Sequence, residues 1–309
     1  MSIELLNSVF DSIHLTGDWS LQLLRISTPK REGTKYVSRQ ITLDPPGTLN
    51  TFVKELAQRY RTHGKGSLDS YNSLIEYDGT ADAMTIYKLH KDNPLIASEF
   101  ESFITAVANP DVEEDAMTFS SAYLVKGTLT VDGEQCAIKL ISMQNPITSL
   151  SHKFYQRDGK FSEIRGPVLS LRKSVDVVII QDTVYFLTMA GENLFNMARA
   201  YKNVCHDAVI EVEGAGFISG IERFKGVAES GHNPRRFVSF NRDRLEALKN
   251  TNTRKAMAKQ FAIPLDTDNK FDASIDGASE KIVKLLCNKG MIDPFKKTPV
   301  EVTGAKQWQ

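Results

Sequence analysis

Residues 122–143, AYLVKGTLTVDGEQCAIKLISM, constrain this chain more than any other stretch. Two runs of β-branched and apolar residues flank Asp132-Gly133, a dipeptide that readily takes the positive φ angles of a two-residue hairpin turn. An antiparallel strand pair is predicted here, and the elements around it read as more strands. WSLQLLRIS and KYVSRQITL (residues 19–27 and 35–43) form runs joined by a turn at KREGT, and SLIEYD and MTIYKLH read as two further strands. Asp158-Gly159 marks another turn. VDVVIIQDTVYFLTMAGENLFNMARAYKN reads as a strand, a tight turn at Gln181-Asp182, a second strand and a helix from about Gly191, with Leu194, Met197, Ala198 and Tyr201 on its buried face.

Two helices interrupt the strands. One lies in PPGTLNTFVKELAQRYRTHGKG, capped by Thr48 or Asn50, with Phe52, Val53, Leu56 and Tyr60 on one face and HGKG at its end. The other is LIASEFESFITAVANP, stopped by Asn109-Pro110 and followed by an exposed acidic loop, DVEED. Beyond Tyr201 the pattern turns helical, in short segments punctuated by Gly, Asn or Pro, until VEVTG offers a closing strand. The chain is therefore predicted to be α+β, with a strand-rich region over residues 1–190 packed against a mainly helical region over residues 191–309. No linker marks the boundary, which is a shift in composition.

No apolar run approaches the roughly 18 residues of a membrane span. The start, MSIELLNSVFDSIH, has no basic region ahead of an apolar one and does not read as a signal peptide. Cys136, Cys205 and Cys287 are odd in number and scattered, as expected for buried free thiols in a reducing compartment. A soluble, cytoplasmic protein is expected.

Chemical motifs are weak. Gly214, Gly216 and Gly220 follow VIEVE, which reads as a strand, but no parallel partner strand follows as a dinucleotide site requires. DTDNKFDASIDG begins like a calcium loop and then places Lys270, Phe271 and Gly277 where a ligand, a glycine and a glutamate belong. Asp132, Glu134 and Lys139 sketch a metal-dependent nuclease core, yet Ala137 stands where its acid belongs. The histidines show no metal spacing, and Cys205-His206 lacks a second ligand pair. No catalytic residue, cofactor or metal is assigned.

What remains is charge. The chain balances 38 basic residues against 38 acidic ones, but residues 191–309 carry 19 against 15. Within residues 233–261, NPRRFVSFNRDRLEALKNTNTRKAMAKQF, eight cations (Arg235, Arg236, Arg242, Arg244, Lys249, Arg254, Lys255 and Lys259) face only Asp243 and Glu246. FVSFNRDRLEALKN reads as one helix with Val238, Leu245 and Leu248 inward, and TRKAMAKQF as a second with Met257 and Phe261 inward. Lys255 and Lys259 stand i, i+4, a like-charge pair that costs an isolated helix about 0.2–0.5 kcal/mol. Such a cluster is either a solvated basic face or a grip on a polyanion such as double-stranded DNA, whose phosphates release condensed counterions when Lys and Arg neutralise them. HKFYQRDGK and RYRTHGKG mix aromatics with cations and could extend such a surface.

Residues 170–202, SLRKSVDVVIIQDTVYFLTMAGENLFNMARAYK, resemble the KwaB-like proteins of the two-gene Kiwa anti-phage defence system. The resemblance rests on an apolar strand with an early Asp176, a second apolar strand, and a helix opening with Phe195. A helical region with a late basic segment and the tail MIDPFKKTPVEVTGAKQW follow. It extends over residues 165–309 and reduces to element order before them. The resemblance implies a cytoplasmic homo-oligomer, a dimer, that binds DNA and works with a membrane partner, KwaA, which could recruit it to the inner membrane. It carries no catalytic residues, and the eight cations named above come from charge alone. Three readings follow: non-specific DNA binding that obstructs phage replication or transcription, a partner-activated metal-dependent nuclease, and an adaptor that meets only protein.

Overall fold

The computed structural model describes residues 3–13, 18–29, 33–62, 67–71, 73–111, 120–131, 133–148, 153–164, 168–288, 290–292 and 299–301. KREGT and HGKG fall largely outside these residues, as do most of DVEED, Asp132 and much of the C-terminal tail. The chain divides into two units: Met1–Glu76 with Ala83–Met197, and Tyr77–Asp82 with Ala198–Gln309.

In the first unit α1 (Ile3–Ser12), β1 (Ser20–Ser27), β2 (Lys35–Ile41) and α2 (Thr48–Arg61) come first, then β3 (Ser73–Glu76), β4 (Thr85–His90) and α3 (Ala97–Ala108). They are followed by β5 (Ala122–Val131), β6 (Glu134–Ser142), β7 (Ile147–Thr148), β8 (Lys153–Arg157), β9 (Lys160–Ile164), β10 (Val168–Leu169), β11 (Val177–Ile180) and β12 (Thr183–Phe186). Eight strands make one sheet in the order β2-β1-β5-β6-β11-β12-β4-β3. Every neighbouring pair in it is antiparallel except β3 and β4. The predicted hairpin forms with Gly133 at φ 86°, and the tight turn at Gln181-Asp182 forms with Gln181 at φ 52°.

Strand β11, VVII, is apolar throughout and wholly buried because both faces of the sheet are covered there. Leu21, Leu23, Tyr123, Val125, Ile138, Leu140, Val178 and Ile180 share a core with Leu6, Phe10, Val53, Leu56 and Tyr60 of α1 and α2. Phe100 and Phe103 of α3 pack on Phe195, which meets Phe186 of β12 edge to face. Each fully buried Val or Ile of β11 contributes on the order of 1.5–3 kcal/mol. Gly191 fits here because a Cβ would lie 2.5 Å from Val177 and 2.8 Å from Phe186.

Asp176, the early acid of the resemblance, is a structural tie. Its carboxylate accepts from the Met143 N–H at 2.7 Å and the Thr188 hydroxyl at 2.5 Å. Tyr60, in the core shared with α1 and α2, ties the preceding residue, its hydroxyl donating to the Val175 carbonyl and accepting from the Val175 N–H.

The second unit holds α4 (from Met197 of the first unit to Ala215), β13 (Ile218–Ser219), α5 (Ile221–Ala228), α6 (Asn233–Arg236), α7 (Arg242–Lys249) and α8 (Thr251–Phe261). After them come β14 (Phe271–Asp272), α9 (Ala278–Leu286), β15 (Gly290–Ile292) and β16 (Pro299–Glu301). A strand-rich N-terminal half and a mainly helical C-terminal part are thus as expected.

Several local expectations need correction. VIEVE and Gly214 lie inside α4, and only Gly216 and Gly220 follow it, so the strand that a dinucleotide motif needs before its glycines is a helix here. Ala198 is exposed, leaving Met197 and Tyr201 buried on α4. FVSFNRDRLEALKN is not one helix: a 3-10 turn at Phe237–Ser239 precedes α7, and Val238 is only half-buried. Helix α2 begins after Gly47 at φ 88° without a side-chain cap. The three cysteines are buried free thiols, and no helix among the described residues is long and apolar enough to cross a membrane.

Candidate nucleic-acid interface

Two asparagines build the helices of the basic stretch. The Asn241 side chain accepts the Arg244 N–H at 2.8 Å and starts α7. The Asn250 side chain accepts the N–H groups of Asn252 and Thr253 at 2.9 and 3.2 Å and starts α8. Asn250 also ends α7, so a single extended residue joins the two helices. Leu245, Leu248 and Ala258 anchor the pair in the helical core.

The eight cations do not share one environment. Arg254 is 6 % exposed. Its guanidinium donates to the Leu248 and Lys249 carbonyls at 2.8 and 3.3 Å, to the Asn269 carbonyl at 2.6 Å and to the Thr251 hydroxyl at 3.2 Å, over the Phe217 ring. It thereby supplies donors to the carbonyls that end α7, where a cation also complements the helix dipole. Arg244 is half-buried and donates to the Leu285 carbonyl at 2.6 Å, and burial lowers its pKa from the ordinary arginine value.

Arg235 ties a different segment into the same unit. It donates to the Tyr77 hydroxyl at 3.0 Å and the Thr80 carbonyl at 2.9 Å, with its guanidinium 5.8 and 5.9 Å from the Tyr77 and Tyr201 ring centroids. The two tyrosine hydroxyls share a short hydrogen bond. Gly79, at φ 80°, admits this approach, since a Cβ there would strike the Arg235 carbonyl oxygen. Arg236 bonds the Asn233 side chain.

Two cations are exposed but paired. Arg242 makes a two-pronged contact with Glu211 at 2.7 and 3.0 Å while lying over Phe240. Lys249 meets Glu246 at 2.6 Å. The last two, Lys255 and Lys259, are exposed and have no hydrogen-bond or ion-pair partner among the described residues. Helix α8 contains no acidic residue, and Thr251, Asn252, Lys255, Ala256, Lys259 and Gln260 make its exposed face. Charge in sequence thus sorts into structural, paired and available cations. The sequence signal for the first kind was present: Arg254, Ala258 and Phe261 recur at i, i+4 and i+7, the stripe of a buried face.

Among the described residues the other motifs gather no metal site. Glu134 is exposed at the start of β6, Lys139 is half-buried, and Asp132 lies outside the described residues. Burial, and then Lys126 across the strand pair, lower the Lys139 pKa. No group of three or more His, Cys, Asp or Glu side chains able to hold a metal occurs among the described residues. In the calcium-like loop Asp266 instead accepts the N–H groups of Asp268 and Lys270 at 2.9 and 2.8 Å. His206 pairs with Glu229 at 3.2 Å beside Cys205, whose thiol burial pushes up to about 12.

No curated protein and no solved structure matches the chain. A family model described as Kiwa protein KwaB-like does match, over residues 134–292, just over half of the chain. The match runs from β6 through α9 to β15 and includes the whole basic stretch. The chain therefore belongs to the KwaB-like family of Kiwa proteins, which places it in anti-phage defence.

Proposed function

We propose that this protein binds double-stranded DNA without reading its sequence, through the exposed face of α8, and obstructs replication or transcription of phage DNA. It acts as a homodimer in the cytoplasm together with the membrane protein KwaA. The observation that carries this reading is the acid-free face of α8, on which Lys255 and Lys259 stand exposed and unpaired among the described residues. Flexible lysines meet phosphates as point charges and need no fixed base geometry. Arg242 and Lys249 are a reserve, because an exposed ion pair is worth only about 0.2–1 kcal/mol and a phosphate can replace the carboxylate. Arg254, Arg235 and Arg244 serve the fold.

This sorting sets the strength of the grip. Each phosphate neutralised on duplex DNA contributes about −0.9 to the slope of log K against log salt. Eight cations per chain would give about −7, whereas two give about −2, or about −4 for a dimer. A gel-shift salt titration on random-sequence duplex measures the slope directly. Retardation at low salt with a slope near −4, lost equally for all sequences in K255A/K259A, is expected. A double variant that retards DNA as wild type does would refute the α8 site.

A further inference from the structure

Among the described residues, no side chain of the β8–β9 hairpin belongs to the core of the first unit. It is a two-stranded sheet of its own, and all of residues 158–163 are exposed. Phe154 and Phe161 are 57 % and 68 % exposed, the two most exposed large hydrophobic residues among those described. Asp158 and Gly159 take φ 51° and 74°, the paired positive angles of a primed turn whose twist matches that of the strands, so the ribbon is preorganised. Gln156 faces Phe161 and Phe154 faces Glu163 across the strands, which places both phenylalanines on one face as diagonal neighbours. Over the two strands and their turn, residues 153–164, the sequence carries three lysines and arginines against two acids, an excess of positive charge that suits an anionic occupant.

An anionic lipid surface fits poorly. The phenylalanine face also carries Gln156 and Glu163, and seating it in a bilayer interface would drag a carboxylate toward the apolar phase. A DNA groove suits this ribbon, in which Lys160 and Ser162 are also exposed on the face opposite the phenylalanines. The major groove is about 12 Å wide and admits a two-stranded β-ribbon, and five residues of strand reach about 16 Å. Diagonal neighbours on a sheet stand about 7–8 Å apart, close to twice the 3.4 Å rise of stacked bases, so one base fits between the rings.

We propose that the β8–β9 hairpin enters duplex DNA and that Phe154 and Phe161 stack on a base that it unstacks. This rests on the DNA-binding reading above but adds a contact of a different kind, since base–aromatic stacking does not release counterions. The two are separable. F154A/F161A is expected to weaken binding at least tenfold at every salt concentration while leaving the salt slope unchanged, whereas K255A/K259A reduces the slope. Both phenylalanines lie outside the cores, so the variant is expected to keep the wild-type melting temperature.

A duplex carrying 2-aminopurine should brighten when wild-type protein binds, because the base leaves the stack, and should not brighten with F154A/F161A. Wild-type binding without brightening, or a double variant with unchanged affinity, overturns the hairpin proposal and leaves the α8 reading standing. Absence of any DNA retardation removes both. Co-sedimentation of wild-type protein, but not F154A/F161A, with phosphatidylglycerol vesicles would assign the hairpin to a membrane and overturn the proposal.

Discussion

Helices α7 and α8 are joined by one residue and draw on the same basic stretch, yet they use positive charge in opposite ways. Every cation of α7 has a local partner: Arg242 has Glu211, Arg244 has the Leu285 carbonyl and Lys249 has Glu246. Helix α8 sends Arg254 back into the core to finish α7 and leaves Lys255 and Lys259 facing solvent. A guanidinium with several donors in a fixed fork suits carbonyls at a helix end, and a single ammonium on a flexible stem does not. The difference teaches that the net charge of a segment overstates what its surface can offer a partner.

The sharpest way to break this comparison is R254A. It removes a buried group that satisfies four oxygens, and a loss of about 3 kcal/mol or more is expected from the stranded carbonyls. R254K should rescue little of it, because one ammonium cannot reach all four. Urea unfolding followed by circular dichroism measures both, and a loss under 1 kcal/mol would mean that Arg254 is as dispensable as its neighbours. A smaller effect is expected from E211Q, which frees Arg242. Stability should fall by less than about 1 kcal/mol, while DNA affinity at low salt rises and the salt slope steepens by up to about one per chain. An unchanged slope would show that Arg242 never turns outward. The smallest effect belongs to K255A/K259A, for which stability should hold or rise by about 0.2–0.5 kcal/mol as the like-charge pair disappears. A loss of 1 kcal/mol in urea would mean that these lysines, too, serve the fold.

Much of the architecture was legible because its signals are local. Asp158-Gly159 and the residue pair Gln181-Asp182 specify turns through the backbone angles they tolerate, and VVII reads as a buried strand from its own side chains. The break before α7 was legible only in part. Asn241 is a strong capping residue, but the apolar spacing of Phe237, Phe240 and Leu245 runs across it and suggests one helix. The roles of the arginines were least legible. Arg254 is fixed by the Asn269 carbonyl, fifteen residues on, and Arg235 by Tyr77 and Thr80, more than a hundred and fifty residues back. Backbone carbonyls have no sequence signature, so a cation that seeks them looks the same as one that seeks solvent.

The solvent-facing lysines of α8 support no part of the interior. Mutation can therefore alter them, one at a time, without passing through a misfolded intermediate. Under the DNA-binding reading proposed above, that independence lets the contact surface be retuned against a fast-changing adversary while the scaffold that carries it stays constant.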